Sequence, residues 1–316
     1  VTVSKAITGK DGVSKDVREK IKAKASEMGY IYNLGSKLEK ENKEYNIGIL
    51  VAERFVNDDA FYAKMHQKTI MELTNQGSFG MLEIVTWESE KNAIVPNLLS
   101  NNKVDGVILL GQLERDYIKM IDDQGIPFIF LDFYDEEFKV DSIISDSVHG
   151  AYKLTNYLIS KGHKKIGYIG DYYKTSSILD RYIGYYKAML QSRIPVNEAW
   201  ILKDRGEDGL LVDIDFPKNM PTAFVCNCDE VAFMVIKKLK SIGYKVPQDV
   251  SVVGFDNFIH AQLSSPQITT FGVDIDLMVI DAVETIIKKI DNGDLNVGRI
   301  VVTGELVERD SVMQLI

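Results

Sequence analysis

The sequence predicts an α/β protein made of two doubly wound, parallel-sheet lobes, and three observations carry that expectation. Its 316 residues exceed what one hydrophobic core fills, so two or more domains are expected. From Asn46 onward, apolar strand signals alternate with helix signals, and the alternation runs through two successive series. Most of the strand signals are continuous apolar runs, the pattern of strands covered by helices on both faces. With 45% hydrophobic and 26% charged residues, the composition is that of an ordered globular protein rather than a long disordered chain.

Each element has its own justification. Ser14 can cap a helix reaching about Met28, because Val17, Ile21, Ala25 and Met28 recur at helical spacing and Gly29 suits the position past its end. The polar stretch 33–45 reads as a linker. The first series places strands at 46–52, 80–86, 105–111, 127–132 and 140–145, with helices at 60–76, 90–101 and 113–124. The second places strands at 165–170, 199–203, 221–226 and 250–254, with helices near 147–161, 178–192, 229–243 and 275–290. No short repeat is visible, so a solenoid is not indicated.

Charge and motif content narrow the function classes. Residues 1–45 hold ten basic and seven acidic side chains, while the rest of the chain sums to −12. A short basic segment on an acidic body fits either a solvated helix or a nucleic-acid contact confined to one end. No apolar run approaches the ~18 residues of a membrane span, and no secretory signal is visible. Cys226 and Cys228 do not make a disulfide framework, so a reducing cytoplasm is expected. The chain begins with Val1, and the expectation is a piece of a longer protein. Phosphate-loop, dinucleotide, nucleophile-elbow and HExxH signatures are missing. His66, His149, His163 and His260 show no ligand spacing, and Cys226-Asn-Cys228 lacks a second pair of ligands. No metal, cofactor or catalytic residue is therefore expected.

The strand ends are more informative, because ligands of open α/β sheets sit beyond the carboxyl ends of the strands. Phe61-Tyr62 follows the first strand, and Asp132-Phe133-Tyr134 ends the strand at 127–132. Asp171-Tyr172-Tyr173, Asn227-Cys228-Asp229 and Phe255-Asp256-Asn257 follow three more. Aromatic rings stack on apolar sugar faces, and acids and amides exchange hydrogen bonds with hydroxyls, so a polar, neutral ligand is the preferred reading.

At this point the chain resembles the LacI/GalR repressor family over its entire length. The resemblance rests on residues 1–30, KGHKKIGYIG (161–170), RYIG (181–184), PTAFVCNCDEVA (221–232), VPQDVSVVGFDN (246–257) and ERDS (308–311), in that order and spacing. It implies a partial helix-turn-helix at 1–32, a hinge at 33–45 and a periplasmic-binding-protein-like effector core at 46–316. Within the core it implies an N-lobe of about 46–158 and 272–303, and a C-lobe of about 159–271 and 304–316. By the same resemblance, Thr2, Ser4, Lys5 and Ser14 belong to the DNA-contacting part. In the hinge, either Leu38 is the minor-groove wedge after a one-residue shift, or the hinge works differently, since Glu39 occupies the usual leucine position. Phe61, Tyr62, Phe133, Asp146, Ser177, Arg181, Cys228, Asp229 and Asp256 become the expected effector contacts. Cys228-Asp229 stands where the family commonly has Asn-Asp, and 204–219 replaces a stretch that usually bears a helix.

The resemblance implies a cytoplasmic, homodimeric repressor that binds operator DNA once the residues upstream of Val1 are present, and whose affinity a sugar or related metabolite controls. A solute-binding protein of a transport system is the alternative, and a sugar-modifying enzyme a third. Arg181→Ala and Asp256→Ala are expected to remove ligand binding while leaving the unliganded protein as stable as before.

Overall fold

The structure, a computed structural model, describes residues 14–27, 44–56 and 60–315. Two compact units divide the chain, Val1–Asn42 and Lys43–Ile316. In the first, α1 spans Lys15–Glu27. The Ser14 carbonyl accepts the Arg18 amide at 3.0 Å, which makes Ser14 the N-cap residue. Thr2, Ser4, Lys5 and Leu38, with the hinge around Leu38, lie outside the described residues.

The second unit holds two six-stranded sheets. The first contains β1 (Asn46–Ala52), β2 (Phe79–Val85), β3 (Gly106–Leu110), β4 (Phe128–Leu131), β5 (Ser142–Ser145) and β11 (Arg299–Val302), in the order β11-β5-β4-β3-β1-β2. The second contains β6 (Ile166–Ile169), β7 (Ile201–Leu202), β8 (Ala223–Cys226), β9 (Ser251–Asp256), β10 (Thr269–Gly272) and β12 (Glu305–Val307), in the order β12-β10-β9-β8-β6-β7. Pairing is parallel throughout except at the edge, where β12 runs antiparallel to β10. Strand β12 follows β11 after two residues and joins the edge of the other sheet.

The helices are α2 (Ala60–Asn75), α3 (Trp87–Lys91), α4 (Asn97–Ser100), α5 (Arg115–Asp122), α6 (Ser147–Ser160), α7 (Ser176–Gln191), α8 (Asp229–Ser241), α9 (Ile259–Leu263) and α10 (Ile275–Asp291). Strands β3 and β4 are buried at every position, as their apolar runs require. One core, including Leu50, Ile108, Phe130 and Val283, fills the first lobe. The second lobe has a core on each face of its sheet, one around Phe224 and Val235 and one around Tyr168, Tyr185 and Phe271.

Three expectations are revised. The helix expected at 90–101 is two short pieces, because Ala93 takes φ 48° and Pro96 cannot continue a helix from the preceding turn. The first lobe ends near Asp146 rather than at 158, since α6 packs on α7, β10 and β12 of the second lobe. Strands β10, β11 and β12 and helix α9 had no sequence signal. The chain thus crosses between lobes after β5, after β10 and after β11. At the last crossing a Cβ on Gly304 would sit 2.0 Å from the Gly272 carbonyl oxygen, so two crossing strands approach as only glycine allows. No described helix is long and apolar enough to cross a membrane.

Candidate functional site

The cleft between the two sheets is lined from the first lobe by Phe55, Phe61, Tyr62 and Asp132. The second lobe supplies Thr175, Ser177, Arg181, Arg205, Asn227, Cys228, Asp229, Asp256, Phe258 and His260. These residues follow the carboxyl ends of β1, β4, β6, β7, β8 and β9 or stand on the helices that come next, where open α/β sheets place ligands.

Arg181 is the centre of the second-lobe wall. It is 6% exposed. Its Nη1 donates to the Asn227 carbonyl at 2.6 Å, Nη2 to Asp256 Oδ1 at 3.2 Å, and Nε reaches Ser147 Oγ at 3.4 Å. The guanidinium lies 4.0 Å from the centre of the Phe255 ring. Burial works against its charge, but Asp256 and Asp132 outweigh that and raise its pKa. Its chain neighbour Asp180 accepts from the Tyr134 hydroxyl at 2.8 Å.

Asp256 closes β9 in a conformation unusual for a residue with a side chain, φ 103°, and Asn257 follows at 55°. Neighbours hold that turn. Arg309 Nη2 donates to Asn257 Oδ1 at 2.6 Å, and the Asn257 amide donates to Thr270 Oγ1 at 3.3 Å. Asp229, the first residue of α8, lines the cleft, but both its carboxylate oxygens are engaged. Oδ1 accepts from Thr270 Oγ1 at 2.6 Å and Oδ2 from the Phe258 amide at 2.7 Å. Burial pushes its pKa up to about 7 against those bonds. The structure therefore gives Asp229 the work of holding the β9–α9 turn.

Asn227, one of the strand-end residues, also belongs to this wall. Its Nδ2 donates to Asp204 Oδ2 at 2.6 Å, while its Oδ1 is buried with no hydrogen-bond partner among the described residues. An unmet acceptor in a cleft wall is what a ligand donor satisfies. Cys228 lines the cleft and Cys226 is packed in the strand behind it. Burial raises both thiols well above their ordinary value, so they stay protonated.

The opposite wall is aromatic. Phe61 meets Phe258 edge-on across the cleft, with ring centres 6.1 Å apart. Tyr62 donates its hydroxyl to Asp132 Oδ2 at 2.8 Å. Asp132 takes φ 68°, which turns the chain beyond β4. Phe133 consequently points inward, buried against Phe130 at 4.3 Å, and does not line the cleft. Asp146 does not line it either; it caps α6, accepting the His149 amide at 3.3 Å. The structure thus gathers Phe61, Tyr62, Ser177, Arg181, Cys228, Asp229 and Asp256, and excludes Phe133 and Asp146. No cluster of metal-ligating side chains occurs among the described residues.

Comparison with known proteins agrees with this architecture. Residues 155–312, half of the chain, match the periplasmic binding protein-like domain. A PurR-type transcriptional repressor from Vibrio parahaemolyticus is 28% identical over 99% of this chain and 95% of its own length. A ribose operon repressor from Haemophilus influenzae is 27% identical over 99% of this chain and 95% of its own. Among solved structures, the lac repressor dimer bound to operator and the anti-inducer ONPF superposes with a TM-score of 0.76 at 21% identity, covering 99% of this chain and 94% of that one. The regulator CelR in complex with cellobiose gives 0.73 at 24% identity, covering 98% and 95%.

Proposed function

Since this chain belongs to the LacI/GalR family of transcriptional regulators and carries its periplasmic binding protein-like domain, we propose that its cleft binds a sugar or related polar, neutral metabolite and that occupancy alters its affinity for operator DNA. The observation that carries this reading is the Arg181–Asp256–Asn227 wall facing Phe61 and Phe258. A guanidinium and a carboxylate side by side can donate to and accept from neighbouring hydroxyls. The Asn227 Oδ1 can accept a hydrogen bond from a further hydroxyl, and the aromatic edge covers an apolar ring face.

The inner cavity is tight, about 50 Å³. Admitting a ring requires the lobes to part at their three crossings, and a ligand that touches both walls then favours reclosure. Such a ligand shifts the equilibrium between lobe arrangements by its difference in affinity for them. A homodimer in the cytoplasm would pass that shift to a palindromic site.

A thermal-shift panel of monosaccharides, disaccharides, phosphosugars and purine bases tests the ligand class. A true ligand at 100 times its Kd adds about 2.7 kcal/mol of stability. Stabilisation by a neutral sugar supports the reading. Stabilisation by a purine base alone would overturn it. Sedimentation showing only monomer would remove the homodimer.

A further inference from the structure

Outside the Arg181 cleft lies a second and larger space, about 320 Å³, bounded by Trp87 and Gln112 of the first lobe and by Tyr173 and Lys174 of the second. Phe55, Thr175 and Arg205 line both spaces, so the two adjoin. Two large rings are left uncovered here, Trp87 at 47% and Tyr173 at 77% exposure. Each stands on a different lobe, and neither is needed to fill a core.

The segment 204–212 closes one side. It folds back on itself, with the Gly206 amide bonded to the Leu210 carbonyl and the Val212 amide to the Asp204 carbonyl, each at 2.9 Å. Its tip residue Gly209 has φ 80°, and a Cβ there would lie 3.1 Å from Arg54 Cδ of the first lobe. Asp208 and Leu210 share a further hollow with Trp87. The hairpin therefore spans from the second lobe to the indole on the first.

The cations around this space already have work. Arg54 pairs with the buried Glu90, Arg115 with Asp135 and Glu137, Arg205 with Asp204, and Lys174 with the Glu207 carbonyl. Phosphate or carboxylate would have to displace these partners. A neutral ring with an apolar face and hydroxyl edges would not.

We propose that Trp87 and Tyr173, bounded by the 204–212 hairpin, form an outer subsite for the second ring of a neutral disaccharide whose first ring occupies the Arg181 cleft. This rests on the sugar reading above and adds to it a minimum ligand length and a charge. Stacking on each ring makes disaccharides bind more tightly than their component monosaccharides.

Calorimetry on the full chain, with glucose, galactose and ribose set against cellobiose, maltose and lactose, tests this. Trp87→Ala and Tyr173→Ala alter exposed side chains and should leave the fold intact. Each is expected to weaken the preferred disaccharide about tenfold while moving monosaccharide affinity less than twofold. The chain has two tryptophans, so a Trp200→Phe variant isolates Trp87, whose emission should change with disaccharide and not with monosaccharide. If monosaccharides bind as tightly as disaccharides and Trp87→Ala changes neither, the outer subsite is overturned and the inner cleft stands. Equal weakening of both classes by Trp87→Ala would also overturn it, since that marks a structural effect. If no saccharide of either length binds, the sugar reading fails and the subsite fails with it.

Discussion

Truncating Arg181 should unfold the protein more easily as well as abolish its response to ligand. From sequence alone, Arg181→Ala was expected to leave the unliganded protein unchanged, because a side chain waiting for a ligand carries no load before it arrives. The structure reverses that. Arg181 is buried, bonded to Asp256, the Asn227 carbonyl and Ser147, and covers the Phe255 ring. Its side chain is 7% exposed and that of Asp256 9%, so solvent screens this pair little. Removing one partner of a buried ion pair costs roughly 3–5 kcal/mol, because the other charge stays buried. At about 2 °C per kcal/mol for a unit of this size, the melting temperature should fall roughly 6–10 °C. Urea unfolding of unliganded wild type, Arg181→Ala and Arg181→Lys at constant slope gives the free energies. Lys153→Ala, on an exposed face of α6, serves as the control and should stay within about 0.5 kcal/mol. Arg181→Lys should fall between, since an ammonium keeps the charge and loses the planar fork. An Arg181→Ala protein within about 0.5 kcal/mol of wild type would refute the view that this pair is a structural strut of the second lobe.

Three further outcomes follow from local geometry. Gly184→Ala should destabilise by about 1–3 kcal/mol or more, because its Cβ would stand 2.2 Å from the Val148 carbonyl oxygen where α7 crosses α6; an unchanged calorimetric melting point would refute that packing. Asp229, with its pKa up near 7, holds its proton more tightly folded than unfolded, so its contribution to stability declines as pH rises from about 4 through 7. Asp229→Asn should flatten that decline and gain relative stability at pH 8, read from unfolding curves across the pH range. His163 is buried between Thr222 and the Met313 carbonyl, and burial lowers its pKa. The folded state therefore binds that proton less readily, stability is lost as pH falls below the ordinary histidine value, and the ring resonances should titrate below that value.

How legible each part was depends on what buries it. Strands β1, β3, β4, β6 and β8 are covered on both faces by helices, so their sequences are apolar runs and the reading found them. Strand β10 is equally buried, yet it reads Thr-Thr-Phe-Gly. Its threonines are buried because Thr269 bonds with Arg309 and Thr270 with Asp229, partners some 40 residues away that no local pattern reveals. At the site, the strand-end rule and the family resemblance together named Arg181 and Asp256, which the structure brings into one cleft wall. They also named Phe133 and Asp146, which do not line the cleft, Phe133 because of the backbone angle before it and Asp146 because it caps α6. One residue at positive φ, Asp132, decides which side chain of that turn enters the cleft. Phe258 and Arg205 became visible only when the loops carrying them were brought together.

The cleft separates into two kinds of position, and the difference bears on how its specificity can change. Arg181, Asp229 and Asp256 hold the floor: each is buried, each bonds within the second lobe, and Gly254 has no room for a side chain because Asp229 Oδ1 would lie 2.2 Å from its Cβ. Altering the floor changes the ligand and the fold together, at several kcal/mol for a buried charge. Marginal stability leaves few such steps open. Phe61 and Phe258 meet across the gap, and Trp87 and Tyr173 stand at its mouth with much of their surface in solvent. Substitution at the mouth alters what the ligand touches at little expense in stability, since surface changes usually stay within about 0.5 kcal/mol. On the proposed reading, relatives with the same floor can therefore differ in ligand length and identity through rim residues and the 204–212 hairpin, while the three lobe crossings remain untouched.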